Sequence, residues 1–338
     1  MRFRPLPSRP EAARAADVRR PLLLILLLGT GMSMTRSEPV MQAQTRSVSR
    51  IVATPLTGEA RPGQRVGALR YLVGYALTSA DPRFGGISAI ARTADGFLAL
   101  SDGGTVMKMA AANGRPTSLN LLPLPAGPGD AAIKADRDSE AFTRDFRGRI
   151  WVAFERHNSV WRYAPGFSEA QASHAPPAMR RWRANSGAEA MVRLDDGRFL
   201  LFSEGAGEVP RSSDVLLFDR DPTDPRAEAT RLSYRLPEGF SVTDAALLGD
   251  GRLATLHRRV SLSSGFVAGI GIIPLTAFRP GAVAEPRIVA TLERPFPTDN
   301  MEALAIERVG ERTLMWVASD DNFSGLQRTL LLKFELVD

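Results

Sequence analysis

A short motif recurs along this chain, and its spacing limits the fold to a repeated β architecture. Each copy is a hydroxyl or acidic residue, an alanine and an apolar residue, followed by a glycine-containing turn and a second strand. The copies begin at Ser88, Glu140, Glu189, Asp244 and Glu302. Their spacing ranges from 49 residues, between Glu140 and Glu189, to 58 residues, between Asp244 and Glu302. Strand repeats of about this length are typical of β-propellers, whose blades all present the same position to one central axis.

Turn and strand patterns in the sequence also predict an all-β fold. Asp-Gly pairs at 95–96, 196–197 and 250–251 predict tight hairpin turns, because glycine adopts a positive φ at no steric cost. The apolar run Ile150–Phe154 predicts a strand that is buried on both faces. A further strand, Arg70–Leu77, precedes the first copy of the motif. Five copies and this strand predict a β-propeller of about six blades, whose last blade is closed by strands from both termini.

The net charge of +6 belongs to the N-terminal part of the chain. Residues 1–50 hold nine arginines and three acids, which leaves 34 basic and 34 acidic residues in the remainder. This balance argues against a nucleic-acid-binding surface on the folded body. The chain has no cysteine, which excludes a thiol nucleophile, a disulfide and a cysteine-ligated metal.

The N-terminal segment has the pattern of an export signal. Arg19 and Arg20 precede the apolar run Leu22–Leu28, and small residues follow that run. The run is too short to span a bilayer, so we expect no stable membrane span after signal removal and a periplasmic or secreted protein. The alternative is a disordered basic arm. We divide the chain into a signal peptide or basic leader (1–43), a flexible lead-in (44–64) and a propeller domain (65–338).

Hairpin geometry pairs each motif residue with the polar residue that ends the second strand. Both residues lie at the same end of one hairpin, so all such pairs are expected around one mouth of the channel. The pairs are Ser88 with Asp102, Glu140 with Glu155, Glu189 with Glu204, Asp244 with His257 or Arg258, and Glu302 with Asp320 or Asp321.

Carboxylates that gather at one mouth repel one another, and protonation, a basic partner or a cation must offset that repulsion. Oxygen ligands favour hard cations, Ca²⁺ first and Mg²⁺ or Mn²⁺ next. We therefore predict a metal site formed by Glu140, Glu189, Glu302 and Asp320. The alternative for each acid is a capping role, in which the carboxylate accepts hydrogen bonds from backbone N–H groups.

Four further residues are candidates for a catalytic role. Asp244 or Glu155 would act as an additional ligand or as a general base. Arg258 or Arg328 would hold an anionic group, because the planar guanidinium suits phosphate and carboxylate. The alternative for both arginines is pairing with the acids of the ring. His257 lies at a suitable strand end, although a single histidine is more often structural.

Several motifs resemble one known family. They are Asp299–Leu304, Ser319–Ser324 (SDDNFS), Gln327–Leu332 (QRTLLL), Asp138–Ala141, Ile150–Glu155, Gly187–Ala190, Val242–Ala245 and Gly85–Ser88. Together they resemble the phytase-like domain labelled "esterase-like activity of phytase", over roughly residues 70–338. The resemblance implies an exported bacterial propeller, loosely related to calcium-dependent alkaline phytases, that hydrolyses phosphoesters or esters.

Two departures from the family pattern bear on which substrate the protein is expected to take. Where the family commonly has Glu-Arg, this chain has His257 and Arg258. After residue 50 the chain has only Lys108, Lys134 and Lys333, which is a poor cradle for a phosphate-rich substrate such as phytate.

We therefore predict an exported, Ca²⁺-dependent, esterase-like or phosphoesterase-like hydrolase of a small-molecule substrate. One alternative is a non-catalytic, calcium-bearing propeller that binds a ligand or a protein partner at its channel mouth. Another is lactone hydrolysis, which also occurs on calcium-bearing propellers.

Overall fold

The computed structural model describes residues 46–58 and 60–337, which form β-sheets joined by loops and short 3-10 helices. The strands are β1 (Ser47–Ser49), β2 (Ile51–Pro55), β3 (Arg65–Val66), β4 (Leu69–Ser79), β5 (Ile87–Arg92), β6 (Gly96–Ser101), β7 (Thr105–Ala112), β8 (Arg115–Pro123), β9 (Ser139–Arg144), β10 (Ile150–Phe154), β11 (Ser159–Tyr163), β12 (Ala170–His174), β13 (Ala188–Arg193), β14 (Phe199–Ala206), β15 (Ser212–Phe218), β16 (Ala229–Arg235), β17 (Ser241–Leu247), β18 (Arg252–Ser261), β19 (Gly265–Pro274), β20 (Val283–Ala284), β21 (Arg287–Leu292), β22 (Met301–Val309), β23 (Arg312–Ser319) and β24 (Leu330–Leu336). The 3-10 helices are Lys134–Arg137, Pro165–Phe167, Pro177–Arg181 and Leu275–Ala277.

The strands form five sheets, which we call blades one to five in chain order of their innermost strands. Their strand orders are β1-β8-β7-β6-β5, β12-β11-β10-β9, β13-β14-β15-β16-β20, β17-β18-β19-β21 and β2-β4-β24-β23-β22. All pairings are antiparallel except that of β16 with β20, which is parallel. The innermost strands β5, β9, β13, β17 and β22 contact one another in that order, and β22 also contacts β5. The blades therefore close into a ring around a central channel, as in a β-propeller.

The prediction of about six blades is wrong, because the part of the chain that the structure describes has five sheets. The strand predicted over Arg70–Leu77 belongs to β4 and does not begin a separate blade. It pairs with β24, with Tyr75 opposite Leu331. Its composition resembles that of any other propeller strand, so only the pairing reveals that it completes the last blade.

Closure of the last blade by both termini is confirmed. Blade five takes β2 and β4 from the N-terminal side and β22, β23 and β24 from the C-terminal side. Strands β1 and β2 lie within residues 44–64, which the sequence predicts to be a flexible lead-in. The β-structure therefore begins at Ser47 and not at residue 65. The leader predicted over 1–43 lies outside the described residues.

Large aromatic side chains fill the spaces between neighbouring blades. Trp316 of blade five meets Phe97 of blade one edge to face, with ring centroids 4.8 Å apart. Trp151 of blade two meets Phe199 of blade three in the same way at 5.2 Å. Every residue of Ile150–Phe154 is buried, as its continuous apolar sequence predicts. This packing holds the innermost strands at fixed positions around the channel.

Candidate functional site

The first residue of the motif lies in a β-bulge on the innermost strand. In blade one, Ile87 pairs with Ser101 and Ala89 pairs with Leu100, so Ser88 is left out of the ladder. The same slip occurs in every blade. The bulged residues are Ser88, Glu140, Glu189, Thr243 and Glu302, which we call the first tier. A bulge re-aims its side chain, and bulges are common next to functional sites.

The register of blade four corrects the alignment of the repeat. Val242 pairs with His257 and Asp244 pairs with Leu256, so Thr243 is the bulged residue. The sequence instead places Asp244 in the ring, and that placement is wrong by one residue. Asp244 occupies the position that alanine holds in the other four copies.

The carboxylate of Asp244 serves as a cap between blades four and five. It accepts hydrogen bonds from the backbone N–H groups of Ala245, at 2.7 Å, and Leu304, at 2.6 Å. Burial raises the pKa of Asp244 well above its ordinary value, and the two backbone hydrogen bonds lower it. Because both oxygens are engaged by the main chain, this acid is not available as the general base that the sequence suggests.

The two hydroxyl residues of the first tier connect neighbouring blades. Ser88 Oγ donates to the carbonyl oxygen of Ser139 at 2.6 Å, and Thr243 Oγ1 donates to that of Met301 at 3.2 Å. Each acceptor immediately precedes the first-tier residue of the next blade. Blades one and four therefore use this position for a structural bond, and blades two, three and five place a carboxylate there.

In every blade a polar residue lies one position beyond the bulge on the second strand or immediately after that strand's end. These residues are Asp102, Glu155, Glu204, Arg258 and Asp320, which we call the partner residues. Where the sequence leaves two choices, the register selects Arg258 and Asp320. Asp321 instead accepts hydrogen bonds from Gly86 N at 2.9 Å and Thr329 Oγ1 at 2.7 Å.

Two triads of carboxylates meet between blades two and three. Asp138, Glu140 and Glu155 each bring an oxygen within 4.8 Å of the others, and so do Glu155, Glu189 and Glu204. Glu155 belongs to both triads and is only 8% exposed. Asp138 is not anticipated from the repeat, although it lies two residues before Glu140 on the approach to the same strand. The structure thus has acidic clusters that could hold a metal ion.

The carboxylates of the two triads destabilise one another's charged forms. Burial raises the pKa of Glu140 well above its ordinary value, and the nearby charges of Glu189 and Asp138 raise it further. Burial has the same effect on Glu189, with added repulsion from Glu204 and Glu155. Burial, reinforced by Asp138, raises the pKa of Glu155 to about 8. A cation at this position would relieve the repulsion that raises these values.

Arg258 supplies the main countercharge on the other side of the mouth. Its guanidinium Nη2 lies 3.2 Å from Glu204 Oε1, and its Nη1 donates to Glu302 and to Asn300. Burial raises the pKa of Glu302, and Arg258 lowers it. Arg258 therefore pairs with acids of the ring, which is the alternative to holding an anionic substrate group.

A second basic contact, which the sequence does not single out, lies at the end of blade one. Lys134 Nζ donates to Asp102 Oδ2, and the other oxygen of Asp102 is buried without a hydrogen-bond partner among the described residues. The Asp320 carboxylate accepts from Asn322 N at 2.6 Å. Burial raises its pKa well above the ordinary value, and repulsion from Glu302 adds to the effect. Lys134 begins the short 3-10 helix between blades one and two, so no strand pattern marks it.

Two candidates remain, Arg328 and His257, and the contacts of each indicate a structural role. The backbone N–H of Arg328 donates to Asp299 Oδ2 at 3.0 Å, and its Nε lies 3.9 Å from the same oxygen. His257 is fully buried, with its Nε2 2.8 Å from the Tyr234 hydroxyl. Burial lowers the pKa of His257 to about 4, so the ring is neutral at physiological pH. Arg328 thus lies beside Asp299, and His257 belongs to the core of blade four.

The donor set of the mouth fits a hard divalent cation. All candidate ligands are carboxylate oxygens, as Ca²⁺ prefers. Within residues 46–58 and 60–337, the carboxylates of Glu140 and Glu189 accept no hydrogen bond, and Asp102 has one unpartnered buried oxygen. These are the groups that an ion would satisfy, and a capping role does not account for them.

We expect the stability of the chelator-treated protein to fall as pH rises from about 5 to about 8. Glu155 keeps a proton in the fold up to about pH 8 but loses it near 4.5 when unfolded. A raised folded-state pKa stabilises the protein below the unfolded value, and this contribution is lost as pH rises through the folded value. Urea titrations in EGTA across this range measure the effect, which should be a few kcal/mol.

Glu155→Gln should make that profile shallower, because the amide does not titrate, while Glu140 and Glu189 with their raised pKa values still do. Glu335 is a contrasting acid, since hydrogen bonds from Arg312 and Arg70 hold its pKa at about 2. Its contribution is lost only at pH values below this window. A wild-type stability that rises between about pH 5 and about pH 8 in EGTA would contradict the assignment.

Comparison with known proteins places the chain in a family context. A family model described as "Phytase-like: Esterase-like activity of phytase" matches residues 82–323, which include every first-tier and partner residue. No curated protein matches the chain significantly.

Solved structures show only distant similarity. The aldose sugar dehydrogenase of Streptomyces coelicolor in its PQQ-bound form shares 14% identity with a TM-score of 0.44, over 82% of this chain and 99% of that chain. Virginiamycin B lyase from Staphylococcus aureus shares 14% identity with a TM-score of 0.38, over 74% of this chain and 84% of that chain. A protein of unknown function from Dyadobacter fermentans shares 11% identity with a TM-score of 0.43, over 82% of this chain and all of that chain. At these values the similarities carry no functional argument.

Proposed function

Because this chain belongs to the phytase-like family described as having esterase-like activity of phytase, we propose that it is a divalent-cation-dependent hydrolase of esters or phosphoesters. The preferred ion is Ca²⁺. The observation that carries the proposal is the pair of carboxylate triads that share Glu155 at the channel mouth. Such a cluster is costly when empty and is matched in donor type to a hard cation.

The proposed ligands come from several blades. Glu140 and Glu189 would hold the ion between blades two and three, and Glu302 and Asp320 of blade five would supply further carboxylate oxygens. A bound divalent cation would polarise an ester or phosphoryl oxygen and lower the pKa of a coordinated water. The chain itself would provide all the proposed ligands, and the ion, the water and the substrate would come from solution.

Glu155 is the proposed general base. Its carboxyl belongs to both triads, so it lies beside the proposed ligands Glu140 and Glu189, and a bound cation would lower its raised pKa toward the ionised form that a base requires. Arg258 acts as a positioning residue, because its guanidinium holds Glu204 and Glu302 in place. Asp244 has no role in this proposal, since its oxygens cap the backbone of blades four and five.

The proposed substrate is a small ester or monophosphate. Cationic groups near the mouth are few and are paired with acids: Arg258 with Glu204 and Glu302, Lys134 with Asp102, and Arg156 with Asp138. A substrate with many phosphates needs more positive charge than these residues supply. The balanced charge of the folded body also supports a small molecule over a nucleic acid.

We further propose that the protein is exported to the periplasm or secreted. The support is the basic and apolar pattern of the N-terminal sequence, which lies outside the described residues. No helix among the described residues is long and apolar enough to cross a membrane.

The test is hydrolysis of an ester and phosphoester panel by the purified chain, with Ca²⁺ and with EGTA. We expect turnover to fall at least about 100-fold in EGTA and in Glu189→Gln, because both remove the ion that stabilises the developing charge. Glu285→Gln is a matched control at an exposed acid, and it should retain full activity.

Two results would separate this proposal from a non-catalytic, ligand-binding propeller. If Ca²⁺ raises the melting temperature of wild type but not of Glu189→Gln, and no substrate is ever turned over, the ion is structural and the hydrolase assignment is wrong. If turnover occurs equally in EGTA, the metal assignment is wrong.

A further inference from the structure

The side chains that line the central channel change along its length from acidic to apolar to basic. Moving two residues along each innermost strand from the first tier leads to apolar side chains, because alternate residues of a strand face the same side. Ile90, Phe142, Met191 and Leu304 line this middle section, and each is at most 9% exposed. Two residues further on, three blades present arginine. The mouth opposite the acids is therefore basic.

A cavity of about 260 Å³ occupies this basic end of the channel. Its rim has Arg92, Arg144 and Arg193 from blades one, two and three, and Leu247 and Ile306 from blades four and five. The apolar section described above forms its floor. The cavity thus combines a positive side, an aliphatic side and an apolar base.

Two of these arginines form no salt bridge within the described residues, although the charge of Arg193 helps to lower the pKa of Asp196. Arg144 donates to the carbonyl oxygen of Arg92, and Arg193 Nη1 donates to that of Leu194 at 3.3 Å. Arg92 differs, because its Nε lies 3.2 Å from Glu307 Oε1. Two guanidinium groups consequently lie at the cavity rim without a salt bridge. The acid that lines the cavity, Asp244, is engaged by backbone N–H groups, and burial raises its pKa well above the ordinary value. An anion is the group that would balance the two guanidinium charges, and the planar fork of arginine suits carboxylate and phosphate oxygens.

We infer that this basic mouth is a binding site for a small organic anion, with one carboxylate or phosphate head and an apolar body. The head would pair with Arg144 and Arg193, and the body would lie against Leu247, Ile306 and the apolar floor. The volume limits the body to roughly one ring or a short chain, since a cavity of about 150 Å³ already accommodates benzene. It is also smaller than the pockets of about 300 Å³ and above that take drug-sized ligands.

This site is independent of the acidic mouth. The apolar section separates the two ends, and the charge at each end has the opposite sign. A ligand drawn to the basic end by its negative charge is repelled by the acids of the first tier. The inference therefore does not depend on the proposed hydrolase function or on a bound cation.

The experiment is isothermal titration calorimetry of the full chain in EGTA with four small probes. Benzoate and phenyl phosphate carry the same ring on two anionic heads, benzyl alcohol has the ring without charge, and acetate has the charge without a ring. We expect both aryl anions to bind, and benzyl alcohol and acetate to bind at least about tenfold more weakly. Absence of binding by every probe, or equal binding of benzyl alcohol and benzoate, would overturn the inference.

Substitutions locate the site. Arg144→Gln and Arg193→Gln should each weaken benzoate binding about tenfold or more, because a charge-assisted hydrogen bond is lost. Arg235→Gln is a matched control, since Arg235 also donates to a backbone carbonyl, that of Pro210, away from the channel. Ile306→Glu should abolish binding by placing a carboxylate beside the arginines, and Ile306→Leu should not. Melting temperatures verify that each variant is folded.

Glu189→Gln distinguishes the two mouths. It should leave benzoate affinity unchanged even if it abolishes hydrolysis, because Glu189 belongs to the acidic triads. Benzoate binding that is lost in Glu189→Gln but retained in the Arg144→Gln and Arg193→Gln double variant would assign the anion to the acidic mouth and refute the inference.

Discussion

A chain that begins at residue 80 is expected to lose the native propeller altogether. Such a chain lacks β2 and β4, and β24 pairs with β4 from Leu330–Ala76 to Leu336–Leu69. Tyr71 would be lost as well, with its edge-to-face contacts to Phe296 and Phe334 at 6.2 and 5.5 Å. Removing one whole ladder and its core residues exceeds the 5–15 kcal/mol by which domains are usually stable. Circular dichroism should show no cooperative thermal transition, and size exclusion should show association through the exposed edge of β24.

A chain that begins at Ile51 is the matched control. It lacks β1, which is only the outer edge strand of blade one and pairs with β8 alone. We expect a cooperative transition that is lowered by a few degrees at most. If the two truncated chains melt alike, the N-terminal strands do not hold the ring closed, and the account of blade five is wrong.

Arg258→Met is the substitution with the largest expected effect on stability at the acidic mouth. Arg258 is 24% exposed and its partner Glu302 is 12% exposed, so removing the guanidinium leaves a poorly solvated carboxylate unpaired. We expect a loss of about 2–4 kcal/mol near neutral pH, somewhat below the cost of breaking a fully buried pair. Urea denaturation in EGTA measures it. The loss should shrink at about pH 5, because a neutral Glu302 needs no countercharge and burial already raises its pKa.

Arg312→Met provides a comparison at an ion pair with a half-exposed arginine, whose acid, Glu335, keeps Arg70 as a second partner. Arg312 Nε lies 2.7 Å from Glu335 Oε1, but the arginine side chain is 52% exposed. Its removal should cost no more than about 1 kcal/mol. Added Ca²⁺ should recover part of the Arg258→Met loss, since a cation can replace the missing charge. Equal losses in the two variants, or a loss for Arg258→Met that is the same at both pH values, would contradict a countercharge role.

Local chemistry in the sequence was sufficient to predict the class of fold. The glycines of the Asp-Gly pairs at 196–197 and 250–251 adopt φ values of 92° and 82°, as tight turns require. Repeat spacing then indicates a propeller. The blade number was not predictable in the same way, because nothing local distinguishes the first strand of a new blade from an N-terminal strand that completes the last one. That distinction is a pairing between residues some 255 positions apart, such as Tyr75 and Leu331.

The site was predictable where the repeat is regular and not where it slips. Glu140, Glu189 and Glu302, each followed by an alanine, lie in the bulges and so occupy the ring position to which the motif assigns them. In blade four the Asp-Ala pair is shifted by one residue. Asp244 therefore matches the motif in sequence, but Thr243 occupies the bulged position. Register depends on which residues pair across the hairpin, and a one-residue slip reverses the face of a side chain.

Residues outside the repeat were not predictable from its pattern. Asp138 completes a carboxylate triad and Lys134 pairs with Asp102, but neither belongs to a strand. The basic mouth shows a different limitation. Arg92, Arg144 and Arg193 all lie four residues after their first-tier residue, and this period is visible in the sequence once the bulged positions are known.

The bulges of the first tier also bear on how a fold of this kind can diversify. A bulged residue is outside the ladder of its own blade, so replacing its side chain leaves the pairing within that blade intact. Ser88 and Thr243 show that a hydroxyl is compatible with the same backbone that elsewhere presents glutamate. The shape of the ring and the chemistry of its inner surface are thus encoded by different residues. Single-codon changes at Glu140, Glu189 and Glu302 can therefore alter the chemistry of the mouth while the architecture is inherited unchanged.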